Sequence, residues 1–402
     1  MKILWLAPWF PFPPDNGIRI RLHHLIRALG KQNEIHLISF VRAEDRPSAF
    51  ALREYCATIE IVPWRDYRST HSNALAGLFS PTPRSLVDTY SAEMAQCVRQ
   101  AQGPFDLVIA STIDTASYAL LANARARLLE EHNFTTRWMR DEYRREPNAV
   151  KRARRWLTFW KYRRYEKKLF AQFDACTMVS DQDAADARTW LDYKNILRVI
   201  PNGVDLLYYA PQPIEPELNT LVFNGALTYG ANLDAMQFFA AEIWRQIKSV
   251  EPSARLSITG RADGIAPDQL PRGKDITLTG YLADLRPTMR QSWVCVVPLR
   301  TGSGTRLKIL EAMALGTPVV STSKGAEGLN VTNGEDILLA DAPDAFAKQV
   351  LRVLRDPQLR ARLSRNARQL VESQYGWDSI GAEFCAVAQE LSRTQKNADE
   401  RR

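Results

Sequence analysis

The sequence predicts an α/β protein built from two doubly wound parallel sheets. Short apolar runs rich in β-branched residues alternate with helical patterns along the chain, as in parallel sheets that helices cover on both faces. A loop rich in Pro, Gly and Asn interrupts this alternation once, and the pattern then restarts. The length of 402 residues also exceeds what one ordinary hydrophobic core fills. We therefore expect two α/β domains.

The first half contains seven predicted strands with helix-like segments between most of them. They are KILWLAP (2–8), EIHLISF (34–40), TIEIV (58–62), FDLVIAS (105–111), RLLEE (127–131), ACTMVS (175–180) and ILRVI (196–200). The interdomain linker is predicted around PNGVD (201–205) and PQPIEPE (211–217), where Pro and Gly break regular structure.

Five more strands are predicted after the linker. They are TLVFNGA (220–226), ARLSITG (254–260), DITLTG (275–280), WVCVVPL (293–299) and TPVVST (317–322). From about residue 343 the apolar residues recur at a spacing of three to four, which predicts a helical tail. In such sheets ligands bind beyond the carboxyl ends of the strands, so two facing sheets would hold a ligand in the cleft between them.

Composition excludes several classes of protein. Hydrophobic content of 45% and charged content of 24% are those of a globular protein, and no stretch approaches the roughly 20 unbroken apolar residues of a membrane-spanning helix. Prolines break the apolar N-terminus, which disfavours a signal peptide. The five scattered cysteines favour a reducing cytoplasm over disulfides or zinc. The net charge of +8 points to an anionic ligand, a membrane surface or nucleic acid without choosing among them.

Two candidate sites follow strands of the first half. In PPDNGIRIR (13–21), Asn16 supports a tight turn, and Gly17 would let a ligand approach the backbone, although a plain structural turn explains the pattern equally well. In LLEEHNF (128–134), His132 and Asn133 stand directly after a strand, where α/β sheets place ligand groups. Position is the only argument for His132, because a lone histidine is more often structural.

A glycine-rich turn opens into a helix in LRTGSGTRLKILEAMALGTPVVSTS (299–323). The helix start attracts anions through its free N–H groups, and Arg306 and Lys308 add positive charge there. This combination indicates a ligand with several negative charges, although Lys308 and Glu311 also have the spacing of an ordinary surface pair. Arg261 and Tyr281 follow two other strands, and Tyr281 could stack on a base.

The order of PPDNG, VIPNGVD and the glycine turn with LEAMALGTPVVST resembles the retaining, nucleotide-sugar-dependent glycosyltransferases of family 4 (group 1). The resemblance runs along nearly the whole chain, and FNGALTYGANLDAMQFF (223–239) is similar to a branch found with bacterial exopolysaccharide synthesis. It implies the GT-B fold: two Rossmann-like domains facing a cleft and a C-terminal helix that crosses back. The expected boundaries are 1–203 for the acceptor domain, 204–372 for the donor domain and 373–402 for the crossing helix and tail.

The resemblance also implies roles for single residues. The hallmark of the family is a pair of glutamates separated by seven residues. The second position of the pair is Glu311, which is implied to bind the donor ribose. The first position is Ser303 instead of a glutamate, and this departure leaves the identity of the donor open. His132 is implied to lie near the sugar and acceptor, with Gly17 near the donor phosphate or acceptor. We expect catalytic roles for His132, Gly17 and Lys308, and acceptor contacts from Asn16, Gly17 and Asn133. The expected donor-binding residues are Gly225, Arg261, Tyr281, Leu282, Ser303, Gly304, Thr305, Arg306, Lys308 and Glu311.

A second departure concerns the diphosphate. Many relatives carry an Arg and a Lys in the loop after the first strand of the second domain, and here those positions are Ala226 and Ala231. A diphosphate leaving group still needs positive charge. We expect Arg306 and Lys308 to supply it, with Arg261 behind them, and no metal cofactor.

Residues 137–168 interleave Arg and Lys with aromatic residues. Trp156, Phe159, Trp160 and Arg163 follow helical spacing, which predicts one aromatic and one basic face. A core-packed helix with a solvated basic face and a helix lying on an anionic membrane remain equal alternatives. Nucleic acid is disfavoured, because no recognition fold accompanies the charge.

Together the motifs and the resemblance imply a metal-independent, retaining glycosyltransferase in the cytoplasm, and peripheral contact to the inner face of the membrane stays open as one alternative. It would move a sugar from a UDP- or GDP-sugar to a growing bacterial polysaccharide or a polyprenyl-diphosphate-linked glycan. Two alternatives stay open: a nucleotide-sugar epimerase of similar architecture, which would need an acid and a base around the sugar, and a non-catalytic module that binds sugar nucleotides or membranes.

Overall fold

The protein divides into two compact units. The structure, a computed structural model, describes residues 1–43, 45, 49–211, 213–302 and 306–399. The first unit comprises residues 1–201 together with 380–402, and the second comprises residues 202–379.

The first unit is built on a seven-stranded sheet in which every neighbouring pair is parallel. Its order is β3-β2-β1-β4-β5-β6-β7, so the chain runs outward from β1 in one direction and then, from β4, in the other. The strands are β1 (Lys2–Ala7), β2 (Glu34–Val41), β3 (Thr58–Pro63), β4 (Phe105–Ser111), β5 (Ala124–Glu130), β6 (Ala175–Met178) and β7 (Ile196–Val199). The reversal between β1 and β4 is a switch point, where open α/β sheets bind ligands.

Helices connect these strands. They are α1 (Gly17–Gly30), α2 (Ser72–Ala76), α3 (Arg84–Asp88), α4 (Ala92–Gln100), α5 (Ile113–Ala119), α6 (Thr135–Arg145), α7 (Ala149–Phe170) and α8 (Asp181–Leu191). Side-chain caps begin several of them, because a side-chain oxygen at the helix start accepts a bond from a free backbone N–H. Asn16 caps α1, Asn148 caps α7 and Ser180 caps α8.

The second unit repeats the same topology with six strands. Its order is β10-β9-β8-β11-β12-β13, and all of its neighbouring pairs are also parallel. The strands are β8 (Glu217–Asn224), β9 (Arg255–Thr259), β10 (Ile276–Gly280), β11 (Ser292–Val297), β12 (Val319–Ser321) and β13 (Leu338–Leu339). The switch point of this sheet lies between β8 and β11.

The helices of the second half complete the architecture. They are α9 (Gly230–Phe238), continued through a π-turn into α10 (Trp244–Val250), then α11 (Arg286–Gln291), α12 (Leu307–Ala314), α13 (Pro343–Arg355), α14 (Pro357–Gln374) and α15 (Trp377–Asp399). From Ile380 onward α15 belongs to the first unit, where the ring centroids of Phe384 and Trp5 are 5.8 Å apart. Within the described ranges, no helix has the length and apolar character needed to cross a bilayer.

The predicted fold class, two doubly wound parallel sheets, is confirmed. All twelve predicted strands are present, and the structure adds β13, whose two residues are too few to form a recognisable apolar run. The predicted helical tail consists of α13, α14 and α15.

The prediction of one aromatic and one basic face on α7 is wrong. Phe159 packs against Tyr143 with ring centroids 5.3 Å apart, and Tyr162 is buried, so these aromatic residues face the protein. Trp156 and Trp160 are 51% and 44% exposed. They share the outer face with basic residues, since the Arg164 guanidinium lies 5.4 Å from the centroid of the Trp160 ring. The outer face of α7 is therefore a mixture of Trp, Lys and Arg.

Candidate active site

The second unit gathers candidate site side chains near the carboxyl ends of β8 and β11. Strand β8 ends at Asn224 and runs into a turn at Gly225, while the loop after β11 leads to α12, which begins at Leu307. Because β8 and β11 flank the switch point, both loops open at the edge of the sheet where ligands bind. Lys308 and Glu311 lie on α12, one turn apart.

Glu311 is held by two hydrogen bonds from other elements. The Tyr209 hydroxyl donates to Oε1 over 3.1 Å, and Asn224 Nδ2 donates to Oε2 over 2.8 Å. Burial raises the pKa of Glu311, whereas the Tyr209 hydrogen bond and the charge of Lys308 lower it. Glu311 is only partly buried, and each carboxylate oxygen can accept a further bond. The carboxylate is thus fixed in place but can still accept hydrogen bonds from two hydroxyl groups.

The Lys308 side chain extends toward the turn after β8. Its Nζ donates to Asn232 Oδ1 over 2.7 Å and lies 4.2 Å from the centroid of the Phe223 ring. Asn232 also donates from Nδ2 to the Ala226 carbonyl over 2.8 Å. Burial lowers the pKa of Lys308 to about 7, and the charge of Arg306 acts in the same direction. An anion beside this nitrogen would favour the charged form.

Two glycines allow this close approach. At Gly225, where φ is +153°, a Cβ atom would lie 2.7 Å from Lys308 Nζ and 2.8 Å from Asn232 Nδ2. At Gly260, where φ is +103°, a Cβ atom would lie 2.6 Å from the Ala226 backbone nitrogen. Both positions therefore leave room that a side chain would remove. The turn is tied to the β9 loop by bonds from Gly225 N to the Thr259 carbonyl and from Leu227 N to the Arg261 carbonyl.

Arg306 precedes α12 and is 5% exposed. Its Nη2 donates to the Gly302 carbonyl over 2.9 Å and lies 3.9 Å from Glu327 Oε2. Burial lowers the pKa of Arg306, and the charge of Glu327 opposes this effect. Arg306 is thus engaged with the Gly302 backbone and Glu327. Ser303, Gly304 and Thr305, which were predicted to bind the donor, lie outside the described residues.

The remaining donor-site candidates lie after β9 and β10. The Arg261 guanidinium is 5.5 Å from the centroid of the Tyr281 ring, and Tyr281 is 68% exposed. Leu282 follows in the same loop and is partly buried. Arg261 connects to the Gly225 turn only through its backbone carbonyl among the contacts seen in the described chain. The structure therefore joins Gly225, Lys308 and Glu311 into one cluster and leaves Arg261 and Tyr281 at its border.

In the first unit, Asn16 and Gly17 form the start of α1. Asn16 Oδ1 accepts a bond from the Arg19 backbone N–H over 3.1 Å, so Asn16 is the helix cap, and Gly17 is exposed at the first helical position. One turn further, Arg21 is fully buried and reaches the end of β5, where Arg21 Nε donates to Glu130 Oε1 over 2.5 Å.

His132 lies two residues after the end of β5 and is 4% exposed. Its Nε2 is 2.8 Å from Glu130 Oε2, while Nδ1 has no partner among the described residues. Asn133 Oδ1 is likewise buried and unpaired within that part of the chain. The prediction that His132 follows a strand is confirmed, and the network formed by Arg21 and Glu130 was not predicted.

Four residues that the sequence motifs did not indicate hold the predicted ones: Arg21, Glu130, Tyr209 and Asn224. The only available signal was the position of Glu130 and Asn224 as the last residues of their strands. Arg21 and Tyr209 carry no such signal, since they contact the site from distant parts of the chain.

Family models match both halves of the chain. The model described as "Glycosyltransferase Family 4" matches residues 15–207, and the model described as "Glycosyl transferases group 1" matches residues 219–356. The chain belongs to the glycosyltransferases. The first match spans β2 to β7 of the first sheet, and the second spans the strands of the second sheet from within β8 onward, so the family resemblance inferred from the motifs is confirmed.

Similar proteins add to this assignment. The glycosyltransferase is 22% identical to an uncharacterized 44.6 kDa protein in the cps region of Klebsiella pneumoniae, over 93% of this chain and 96% of that protein. It is 28% identical to a phosphatidyl-myo-inositol mannosyltransferase of Mycolicibacterium smegmatis, over 48% of this chain and 52% of that protein. Among solved structures, Anabaena HepE in complex with UDP and glucose aligns with a TM-score of 0.66 at 16% identity, covering 97% and 100% of the two chains. The last likeness shows that the fold is GT-B.

Proposed function

We propose that this glycosyltransferase moves a sugar, with retention, from a UDP- or GDP-sugar to a growing bacterial polysaccharide or lipid-linked glycan. The observation that carries the proposal is the pairing of Glu311 and Lys308 on α12 at the switch point of the second sheet. One group accepts hydrogen bonds from hydroxyls, and the other offers positive charge, as the ribose and diphosphate of a nucleotide sugar require.

The contacts of Glu311 support binding to a ribose. Tyr209 and Asn224 each use one acceptor position on a different carboxylate oxygen, which leaves a second position on each oxygen. Two neighbouring ribose hydroxyls could therefore donate one bond to each oxygen. The complex of Anabaena HepE with UDP and glucose supports a uridine nucleotide as the first donor to test.

The contacts of Lys308 support its role as the diphosphate cation. Ala226 and Ala231 cannot carry charge, but Lys308 Nζ reaches the same turn from α12. Arg306 is a weaker candidate, because its guanidinium is engaged by the Gly302 carbonyl and by Glu327. We therefore assign the main charge to Lys308 and propose that no metal is needed; addition of EDTA should leave turnover unchanged.

A donor screen tests the proposal. UDP- and GDP-sugars are compared by thermal shift, since a ligand that binds only the folded state raises the unfolding temperature. Lys308→Met should lose at least tenfold in donor affinity, because one charge-assisted contact to phosphate is removed. Lys348→Met is the matched control: it removes the same charge from an exposed position on α13. Equal affinity in wild type and Lys308→Met would end the proposed role of Lys308.

Product analysis separates the alternatives. Release of UDP or GDP together with a glycoside of unchanged anomeric configuration supports retaining transfer. A changed sugar without nucleotide release would indicate an epimerase. Binding with neither outcome would indicate a module without catalysis.

The acceptor part of the proposal rests on the outer surface of α7. This helix carries nine Lys or Arg residues and one acid, Glu166, which is buried. Trp156, Leu157 and Trp160 are exposed among these cations. Interfacial Trp together with Lys and Arg suits the headgroup region of an anionic membrane. The cps-region relative supports a polysaccharide product, and the relative named as acting on phosphatidyl-myo-inositol supports a lipid acceptor.

The segment that follows α2, residues 77–79, extends this surface. Lys161 Nζ of α7 donates to the carbonyls of Gly77 (3.1 Å) and Leu78 (2.8 Å), which follow α2. Leu78 and Phe79 are 51% and 94% exposed. Flotation with vesicles containing anionic lipid tests the surface: the wild type should float at moderate salt, and a protein that stays with the soluble fraction would end this part of the proposal.

A further inference from the structure

Tyr229 lies in the turn between β8 and α9 and is the last residue before that helix. Its backbone carbonyl accepts a hydrogen bond from the Asn232 backbone N–H over 2.9 Å. The side chain of Asn232 in turn accepts from Lys308 Nζ over 2.7 Å. Tyr229 is therefore fixed in the turn that wraps around the end of the Lys308 side chain.

The Tyr229 hydroxyl faces the glycine turn after β11. A Cβ atom added at Gly302 would lie 3.2 Å from this hydroxyl and also 3.2 Å from Arg306 Nη1. The Cβ atom of Ala231 would be 3.3 Å from the same point. The hydroxyl and the guanidinium thus border one small space, which Gly302 leaves open because it has no side chain. The loops after β8 and β11 flank the switch point of the second sheet, so this space lies where the sheet and the start of α12 favour an anionic ligand.

Capping and packing do not explain a tyrosine at this position. The residue before a helix is favourably Ser, Thr, Asp or Asn, whose side chain accepts from a free backbone N–H, but Tyr229 makes no such cap bond. Tyr229 is 51% exposed, so its ring gains only part of the stabilisation of a buried aromatic side chain. Its hydroxyl has no hydrogen-bond partner among the residues that the structure describes. The phenol O–H is therefore available to a ligand.

A diphosphate in this space would need donors besides Lys308. Ala226 and Ala231 carry no charge, and Arg306 is engaged by a backbone carbonyl and Glu327. The charge of Arg306 already disfavours the charged form of Lys308, and a further cation in the turn would add to that repulsion. A hydroxyl group avoids this cost, since it is neutral and still donates a charge-assisted hydrogen bond to a phosphate oxygen.

We infer that Tyr229 is a donor-binding residue whose hydroxyl donates a hydrogen bond to a phosphate oxygen of the nucleotide sugar. The inference rests on the proposed function and deepens it, because it takes the diphosphate to lie beside Lys308. Deprotonated phosphate oxygens accept hydrogen bonds, so the phenol O–H is the donor of the pair. Tyr229 then holds the diphosphate from the β8 turn, and Lys308 holds it from α12.

The Tyr229→Phe variant tests the hydroxyl, because it keeps the ring and removes only the O–H group. Titration calorimetry compares UDP-glucose, UDP and uridine. The Kd of UDP-glucose and of UDP should rise about tenfold, the low end for a hydrogen bond to a charged group, and the Kd of uridine should not change. Tyr90→Phe is the matched control, since it removes a hydroxyl from a tyrosine that is 48% exposed in the first unit. An unchanged Kd for UDP, or an equal loss for uridine, would overturn the inference.

The Tyr229→Lys variant separates the hydroxyl from the ring. It removes the ring but supplies another hydrogen-bond donor, so the Kd of UDP should stay within about threefold of wild type or fall below it. Weak binding of UDP by Tyr229→Lys together with normal binding by Tyr229→Phe would assign the contact to the ring and overturn the inference. If the donor screen selects a GDP-sugar, then GDP-mannose, GDP and guanosine replace the three uridine compounds.

The same measurements distinguish this inference from the proposed function. If wild type binds neither UDP nor GDP, the proposed function itself fails. If wild type binds UDP and Lys308→Met binds it more weakly while Tyr229→Phe binds it as wild type does, the diphosphate remains at Lys308 and only the role of Tyr229 is refuted.

Discussion

Donor binding should weaken as the pH rises above neutrality, because Lys308 has to be charged to hold a diphosphate. Burial lowers the pKa of Lys308 to about 7 in the free protein. A bound diphosphate favours the ammonium form and returns the pKa toward its ordinary value or above. The donor therefore binds together with one proton whenever the free protein holds Lys308 neutral.

The size of the effect follows from the fraction of protein in which Lys308 is charged. With a pKa of about 7, that fraction is about 0.76 at pH 6.5 and about 0.03 at pH 8.5, and the apparent Kd rises in inverse proportion. The donor Kd should thus increase about 25-fold over these two pH units, which corresponds to about 1.9 kcal/mol. The free protein should show the opposite trend: its free energy of unfolding rises with pH between about 7 and 10.5, since the unfolded chain then holds the extra proton.

Titration calorimetry of UDP-glucose in two buffers of different ionisation enthalpy measures both quantities. Proton uptake should approach about one per donor at pH 8.5 and fall to about one quarter at pH 6.5, the complements of the charged fractions. Lys308→Arg should bind with a Kd that is independent of pH, because a guanidinium stays charged throughout. A wild-type Kd that changes less than about threefold over the window, or an equal slope in Lys308→Arg, would refute the reasoning.

Three further changes test the site and the surface. Glu311→Gln should raise the donor Kd about tenfold, since a neutral amide replaces a charge-assisted acceptor of ribose hydroxyls. An unchanged Kd in calorimetry would contradict the proposal that Glu311 binds the ribose. Gly260→Ala should lower the free energy of unfolding in urea by about 2 kcal/mol or more, because its Cβ meets the Ala226 backbone. Gly264→Ala, at φ +77° with open space, should cost only about 1 kcal/mol, and equal losses would contradict the steric explanation. Phe79→Asp should reduce flotation with anionic vesicles without changing the unfolding temperature, because Phe79 is 94% exposed; undiminished flotation would exclude this residue from the surface.

The sheets could be predicted from the sequence because buried parallel strands are nearly continuous apolar runs. Polar residues interrupt these runs and mark their ends, and the candidate residue His132 follows such an end, at the edge of the sheet where α/β topology places ligands. The two-residue strand β13 could not be predicted, since its pairing with β12 and not its composition makes it a strand. Helical spacing on α7 suggested two faces, yet packing against Tyr143 turned Phe159 inward.

The partners of the candidate site residues could not be predicted for a different reason. Glu130 meets Arg21 across 109 positions of the chain, and Glu311 meets Tyr209 across 102 and Asn224 across 87. Local propensity and periodicity carry no information about such pairs. Only the folded topology, which brings strand ends to one edge of each sheet, places them in contact.

The return of α15 to the first unit sets an order of events during synthesis. Phe384 and Leu391 are buried there, and Gly381 lies so close to Ala28 that a Cβ atom would come within 2.6 Å of it. The ribosome makes these residues after the whole of residues 202–379. Most of the first unit therefore emerges early but lacks part of its core until residues 380–391 have been made, and a nascent chain would expose the Trp5 side of β1 to chaperones in the meantime.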